Sequence, residues 1–197
     1  MPIRTVNNSV FAGAQAIPFA DFPRWHAHHL QRVAGTQQLE HDGAALLAAG
    51  FPFPQLRTFI RAVCHWGGYA GIAGRILNRN TAQDITARFS GTTPAFACAQ
   101  PAASALVSLN HLSDLGTPSF ASKHLRFIRP DICPVLDSLL SQSLGYRFTA
   151  AGYQSFSTDC CSAAVQLSAA GVALPTGNPW RAADVEMSIF ACLHLNP

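Results

Sequence analysis

Residues 112–137 read LSDLGTPSFASKHLRFIRPDICPVLD, and they constrain the fold more than any other stretch because they fix where one helix begins and how it divides. Gly116 admits a turn at positive φ, the Thr117 hydroxyl suits a helix N-cap, and Pro118 fits the first helical position, where its missing N–H leaves no bond unmade. At about 100° per residue, Phe120, Ala121, His124, Leu125, Phe127 and Ile128 gather on one side, with Ser119, Ser122, Lys123, Arg126 and Arg129 on the other. The apolar side is expected to enter a core, turning two hydroxyls and three cations outward beside a helix N-terminus that favours an anion. That face suits a phosphate backbone; the bland alternative is a solvated helix surface.

The rest of the chain reads as helices punctuated by Pro and Gly, after an extended arm over 2–17. A helix opens at Asp21 or Pro23 and stops near Gly35, a second runs over 38–49 to Gly50, and a third starts in the Pro52–Pro54 region and halts at Gly67 and Gly68. Thr81 with Asp84 forms a capping box, Pro101 opens the helix before the Gly116 turn, and Asn178 with Pro179 opens the last helix. His124 is expected to be a hydrogen-bonded core residue. The fold class is mainly α.

At 197 residues the chain is long enough for one domain with a sizeable core, in two lobes around a cleft. No apolar run reaches membrane-spanning length and no secretory signal pattern opens the chain, so a cytoplasmic protein is expected. Six cysteines with no CxxC pair read as buried thiols, and the WHAHH run puts only His26 and His29 on one helix side, so no metal is expected. A charge of +3 permits a polyanionic partner without demanding one. Walker, GxGxxG and GxSxG patterns are absent.

Leu112, Leu115 and Gly116, followed by Pro134, Val135 and Asp137, resemble the helix-hairpin-helix DNA glycosylase superfamily, in which a Leu/Gly hairpin leads into a helix and a Pro-Val-Asp segment supplies the catalytic carboxylate. More closely, residues 62–80, 115–138 and 178–191 are similar to small bacterial proteins with an 8-oxoguanine-glycosylase-like fold. The resemblance implies a hairpin and catalytic segment over about 106–145 within one domain. Two departures stand out: Asp114 occupies the place of the hairpin's first Gly, and Pro118 stands near where lyase-competent members carry a nucleophilic Lys. The four-cysteine iron–sulfur cluster of some members has no counterpart here, and no cofactor is expected.

Base removal passes through a sugar cation, which a carboxylate beside C1′ stabilises. Asp137 is the candidate; its other reading is an N-cap for the next helix, and one residue can do both. Lys123 lies farther along its helix than the resembling Lys, which assigns it to a phosphate contact or to support of Asp137 rather than to attack on C1′. Gly116, Thr117, Ser119, Ser122, Lys123 and Arg126 are the expected DNA contacts. A flipped base needs a pocket, for which Trp66, Tyr69 and Trp180 are candidate walls with His65 or Arg181 as polar neighbours; ordinary core aromatics are the competing reading.

The expectation is therefore a monofunctional DNA glycosylase, acting as a monomer on double-stranded DNA that contains a modified base and leaving an abasic site. That base is an oxidised purine or a bulky modified pyrimidine of phage DNA, the latter implying antiviral defence. Two other readings remain: a non-catalytic helix-hairpin-helix DNA-binding module, for which the pocket around Asp137 would be filled, and an all-α protein-interaction domain.

Overall fold

The computed structural model describes residues 2–174 and 176–195, and its first elements are a small antiparallel sheet of order β1 (Arg4–Val6), β2 (Ser9–Ala12) and β3 (Gln15–Pro18). The arm read as merely extended is thus a meander. Its first turn is the Asn7–Asn8 pair, both residues at positive φ (49° and 58°), as a two-residue hairpin requires. Ile3, Val10 and Ile17 are buried, and the Tyr146 hydroxyl accepts the Ile3 N–H at 2.8 Å.

Helices make up most of the remainder: α1 (Phe22–Arg32), α2 (Thr36–Ala49), α3 (Phe53–Trp66), α4 (Ala70–Arg79), α5 (Ala82–Ser90), α6 (Thr92–Ala95), α7 (Pro101–Asn110), α8 (Pro118–Ile128), α9 (Ser138–Leu144), α10 (Ala150–Ala169) and α11 (Ala182–His194). The mainly α class holds, and most of the punctuation acts as read. Gly50 closes α2 at φ +73°, Gly68 turns the chain after α3 at φ +78°, and Thr81 accepts the Asp84 N–H at 3.0 Å. The last helix differs. Asn178 and Pro179 lie in the preceding loop, because Trp180 is buried with its indole N–H on the Val172 carbonyl (2.8 Å), and α11 starts only after Arg181, whose N–H is taken by Asp184 (3.0 Å).

The apolar side of α8 enters the core as expected, but packing covers its polar side as well. Helix α2 lies across α8, and a Cβ on Gly43 would fall 2.0 Å from the Phe127 carbonyl oxygen, so the two backbones touch. Glu40, one turn before Gly43, meets Arg126 at 2.9 Å. Ser122, Lys123 and Arg126 are consequently buried, at 0%, 8% and 0% exposure, which corrects the reading of an outward cationic face. An amphipathic pattern separates two faces, and here a second helix with a matching acid covers the polar one. Arg129, just past the helix end, bonds Asp131 (2.7 Å).

His124 is fully buried, with Nδ1 2.8 Å from the Phe120 carbonyl oxygen, as read. Cys64, Cys133 and Cys160 are buried, whereas Cys98 is exposed and Cys161 and Cys192 are partly so, correcting the expectation for half of the cysteines. Among the described residues no helix is long and apolar enough to cross a membrane.

Candidate active site

The turn entering α8 is fastened from α4. Asp114, not Gly116, takes the positive φ (64°), a conformation Asp tolerates better than most side chains. Its carboxylate pairs with Arg75 (3.4 Å) and Arg79 (3.2 Å), while Asn80 accepts the Ser113 N–H and donates to the Ser113 carbonyl. This accounts physically for an Asp where the hairpin pattern has Gly. Thr117 holds the N-cap position without a side-chain capping bond, and Gly116 and Thr117 are exposed beside the first turn of α8.

Beyond α8 the chain runs without regular structure to Asp137, and side chains satisfy its backbone where a sheet otherwise would. Ser157 donates to the Ile132 carbonyl (2.6 Å) and Tyr153 to the Pro134 carbonyl (2.9 Å); Glu186 accepts the Val135 N–H (3.4 Å) and Ser122 the Leu136 N–H (3.1 Å). Helices α8, α10 and α11 therefore hold this segment in place. Asp137 at its end accepts the Leu140 N–H at 3.0 Å, so it is the N-cap of α9.

The same Asp137 lines an open cavity of about 270 Å³. Lys123 and Ser119 reach it from α8, Trp66 and Tyr69 from the end of α3 and the turn that follows, and Glu186 and Phe190 from α11. Lys123 Nζ donates to Ser119 Oγ (3.1 Å) and sits 5.9 Å and 5.8 Å from the Tyr69 and Phe120 ring centres. Its stem crosses Gly67, where a Cβ would come within 3.0 Å of Lys123 Cδ, so the Gly67–Gly68 break serves a close approach as well as a turn. Burial lowers the Lys123 pKa, and the nearby Asp137 and Glu186 oppose that shift.

Glu186 is 4% exposed; burial pushes its carboxyl up to about 8, Arg126 opposing and Asp137 reinforcing. His29, also at the cavity, is pushed down to about 3 by burial and by Arg126, leaving a neutral imidazole at pH 7. Among the described residues its Nδ1 has no hydrogen-bond partner.

The structure thus brings together Asp137, Lys123, Ser119, Trp66 and Tyr69. Lys123, assigned from the sequence to a phosphate contact or to support of Asp137, borders the same cavity as Asp137, its stem passing the Gly67 turn between α3 and α4. Trp180 is not a wall of this cavity; it packs edge-on against Phe22 and His26, each at 5.8 Å. Arg126 and Arg181 both bind Glu40, and Arg181 also binds Asp184 (2.8 Å), so neither Arg126 nor the buried Ser122 presents a free group to a phosphate. His65 is exposed and does not line the cavity.

Glu186, His29 and Phe190 were missed by sequence reasoning. A signal for Glu186 existed, because α11 is apolar on nearly every side, and an acid within such a helix is buried and must be paired or used. Chemically, the cavity offers a carboxylate, an amine and a second carboxyl that retains its proton near neutrality, between aromatic walls suited to a planar ring. Among the described residues no three His, Cys, Asp or Glu side chains converge to hold a metal. No family model matches the chain, and no curated protein and no solved structure matches it.

Proposed function

We propose that the chain is a helix-hairpin-helix type DNA glycosylase that takes a modified base out of a duplex into the cavity beside Asp137. The observation that carries this reading is the convergence of Asp137, Lys123, Trp66 and Tyr69 on one open cavity at the end of the hairpin–α8 unit. A filled space around Asp137 would have favoured a binding module.

In this reading Asp137 stabilises the sugar cation as the glycosidic bond opens and takes the proton of the attacking water. Trp66 and Tyr69 stack on the displaced base, and Gly116, Thr117 and Ser119 approach the strand's phosphate through backbone N–H groups at the start of α8. The substrate class remains a modified base of duplex DNA, an oxidised purine or a bulky modified pyrimidine.

Incubation with duplex panels carrying oxidised, alkylated, deaminated and glucosylated bases, followed by mild alkali, tests the proposal. Strand breaks at one modification, absent with Asp137→Asn, are expected. Duplex binding without base release from any panel member would leave the binding module.

One observation favours a variant of this chemistry: Lys123 lines the cavity with Asp137, and burial lowers its pKa, which eases access to the nucleophilic amine. Borohydride trapping of an adduct with the wild type, lost in Lys123→Ala, would make the enzyme a lyase. No adduct leaves the monofunctional reaction.

A further inference from the structure

The cavity contains a second carboxyl group that the reaction above does not use. Glu186 projects from α11 into the space that Asp137 borders from α9, and among the described residues it joins none of the ion pairs. Its neighbour two positions back, Asp184, is bound by both Arg181 and His26. Glu186 makes one long hydrogen bond, from the Val135 N–H to Oε2 at 3.4 Å, and Oε1 has no partner among the described residues. That amide belongs to the segment ending in Asp137, so the two carboxyls are held to a common stretch of backbone.

We infer that Glu186 is the proton donor to the departing base, an inference that rests on the glycosylase reading. Breaking the C1′–N bond sends its electron pair to the base, which leaves poorly as an anion. In the balanced step the carboxyl proton of Glu186 passes to a ring nitrogen or exocyclic oxygen of the base, water oxygen bonds C1′, and the water proton goes to Asp137. Glu186 then holds the negative charge and Asp137 the proton, and exchange with solvent restores both.

Two carboxyls at one site, one sealed and one open to water, are the arrangement that divides acid from base roles. Asp137 is partly exposed, whereas Glu186 is buried and keeps its proton up to about 8. The groups around Glu186 are Lys123 and Arg126 from α8, Asp137 from the start of α9, His29 from α1, and Tyr153 and Cys160 from α10. His29 stays neutral at pH 7, and burial drives the Tyr153 and Cys160 pKa values well upward, so the charges acting on Glu186 are Lys123, Arg126 and Asp137. Arg126 is itself committed to Glu40 at 2.9 Å.

The experiment is single-turnover excision by wild type and Glu186→Gln across pH, on the substrate identified by the duplex panel. The wild-type rate should fall as pH rises through about 8, because the acid is lost. Glu186→Gln should be slower by on the order of 10²-fold below that pH and should lack the alkaline fall. The deficit should shrink for a substrate whose base is a more stable anion. Infrared difference spectroscopy gives a readout that needs no activity: a protonated-carboxyl band at pH 7, absent from Glu186→Gln and lost from the wild type in alkali.

Excision by a folded Glu186→Gln at the wild-type rate, or a wild type without that band, overturns this inference and leaves the glycosylase reading standing. A wild type that releases no base from any panel member overturns both. The wild-type pH profile and spectrum decide the matter even if the variant does not fold.

Discussion

Helices α8 and α11 each contribute to two polar clusters, and the clusters differ in how their charges are met. On one side Arg126, Glu40, Arg181, Asp184 and His26 form a chain of contacts of 2.8–3.3 Å. On the other, Lys123, Glu186 and Asp137 surround an open cavity with no ion pair among them. Lys123 and Arg126 lie a single turn apart on α8, so the same helix supplies a paired cation to one cluster and an unpaired one to the other. Paired, the charges join α1, α2, α8 and α11; unpaired, they border the cavity.

The largest expected effect breaks the paired side. Arg126→Ala should lower unfolding free energy by about 3–5 kcal/mol, since it leaves Glu40 without its buried partner, and Arg126→Met, which strands the same acid, should recover only the part due to lost packing. Equilibrium denaturation checks both. A small loss for Arg126→Ala would mean that the chain of ion pairs does not hold the helices together.

Next in size, Asp137→Asn should slow base excision by about 10²–10³-fold with duplex binding nearly intact, as removal of one transition-state charge group does. Single-turnover rates and a binding titration test this. Near-normal turnover would take Asp137 out of the site.

Stability against pH sharpens the contrast, because Asp184 and Glu186 shift in opposite directions. Burial alone would raise the Asp184 pKa, but bonds from Arg181 and His26 outweigh it and lower the value from 3.8 to about 2. Its contribution of about 2 kcal/mol is present above pH 3.8 and lost as pH falls towards 2. Glu186 is raised from 4.5 to about 8, so its stability term is intact below pH 4.5 and lost as pH rises through 8. Thermal unfolding across pH should show both limbs, and only the alkaline one should flatten in Glu186→Gln.

Lys123→Met should leave stability unchanged or raise it by about 1 kcal/mol, because a buried cation without an ion-pair partner is removed, yet it should impair excision. Smallest of all, Gly67→Ala should shift the Lys123 stem by a few tenths of an ångström, slowing excision less than about tenfold with stability within about 1 kcal/mol. A larger fall in stability than in rate would reverse the roles assigned to the two clusters.

Most helix boundaries were legible because Gly50, Gly68, Pro101, Pro118 and the Thr81–Asp84 box impose local backbone preferences that need no tertiary partner. Asp137 was singled out through the resemblance of the Pro134, Val135 and Asp137 segment, and Trp66 and Tyr69 through the Gly67–Gly68 break; the three line one cavity. The burial of Arg126 was not, since it depends on Glu40 arriving from a helix distant in sequence and on a backbone contact at Gly43. Trp180 was misplaced because an indole looks alike in sequence whether it faces a cavity or, as here, the Phe22 ring. The Asn7–Asn8 turn was available as a hairpin signal and went unread.

The irregular segment leading to Asp137 has a consequence for the order of assembly. Its Val135 and Leu136 amides are bonded by side chains of α11 and α8, and its Pro134 carbonyl by Tyr153 of α10, so these bonds require three helices already docked. The Asp137 end of this segment is then completed late in folding, and it opens only when those helices separate. Hydrogen exchange at Val135 and Leu136 would report global unfolding rather than local fraying, and Asp137 would stay in register at any temperature at which the helices remain packed.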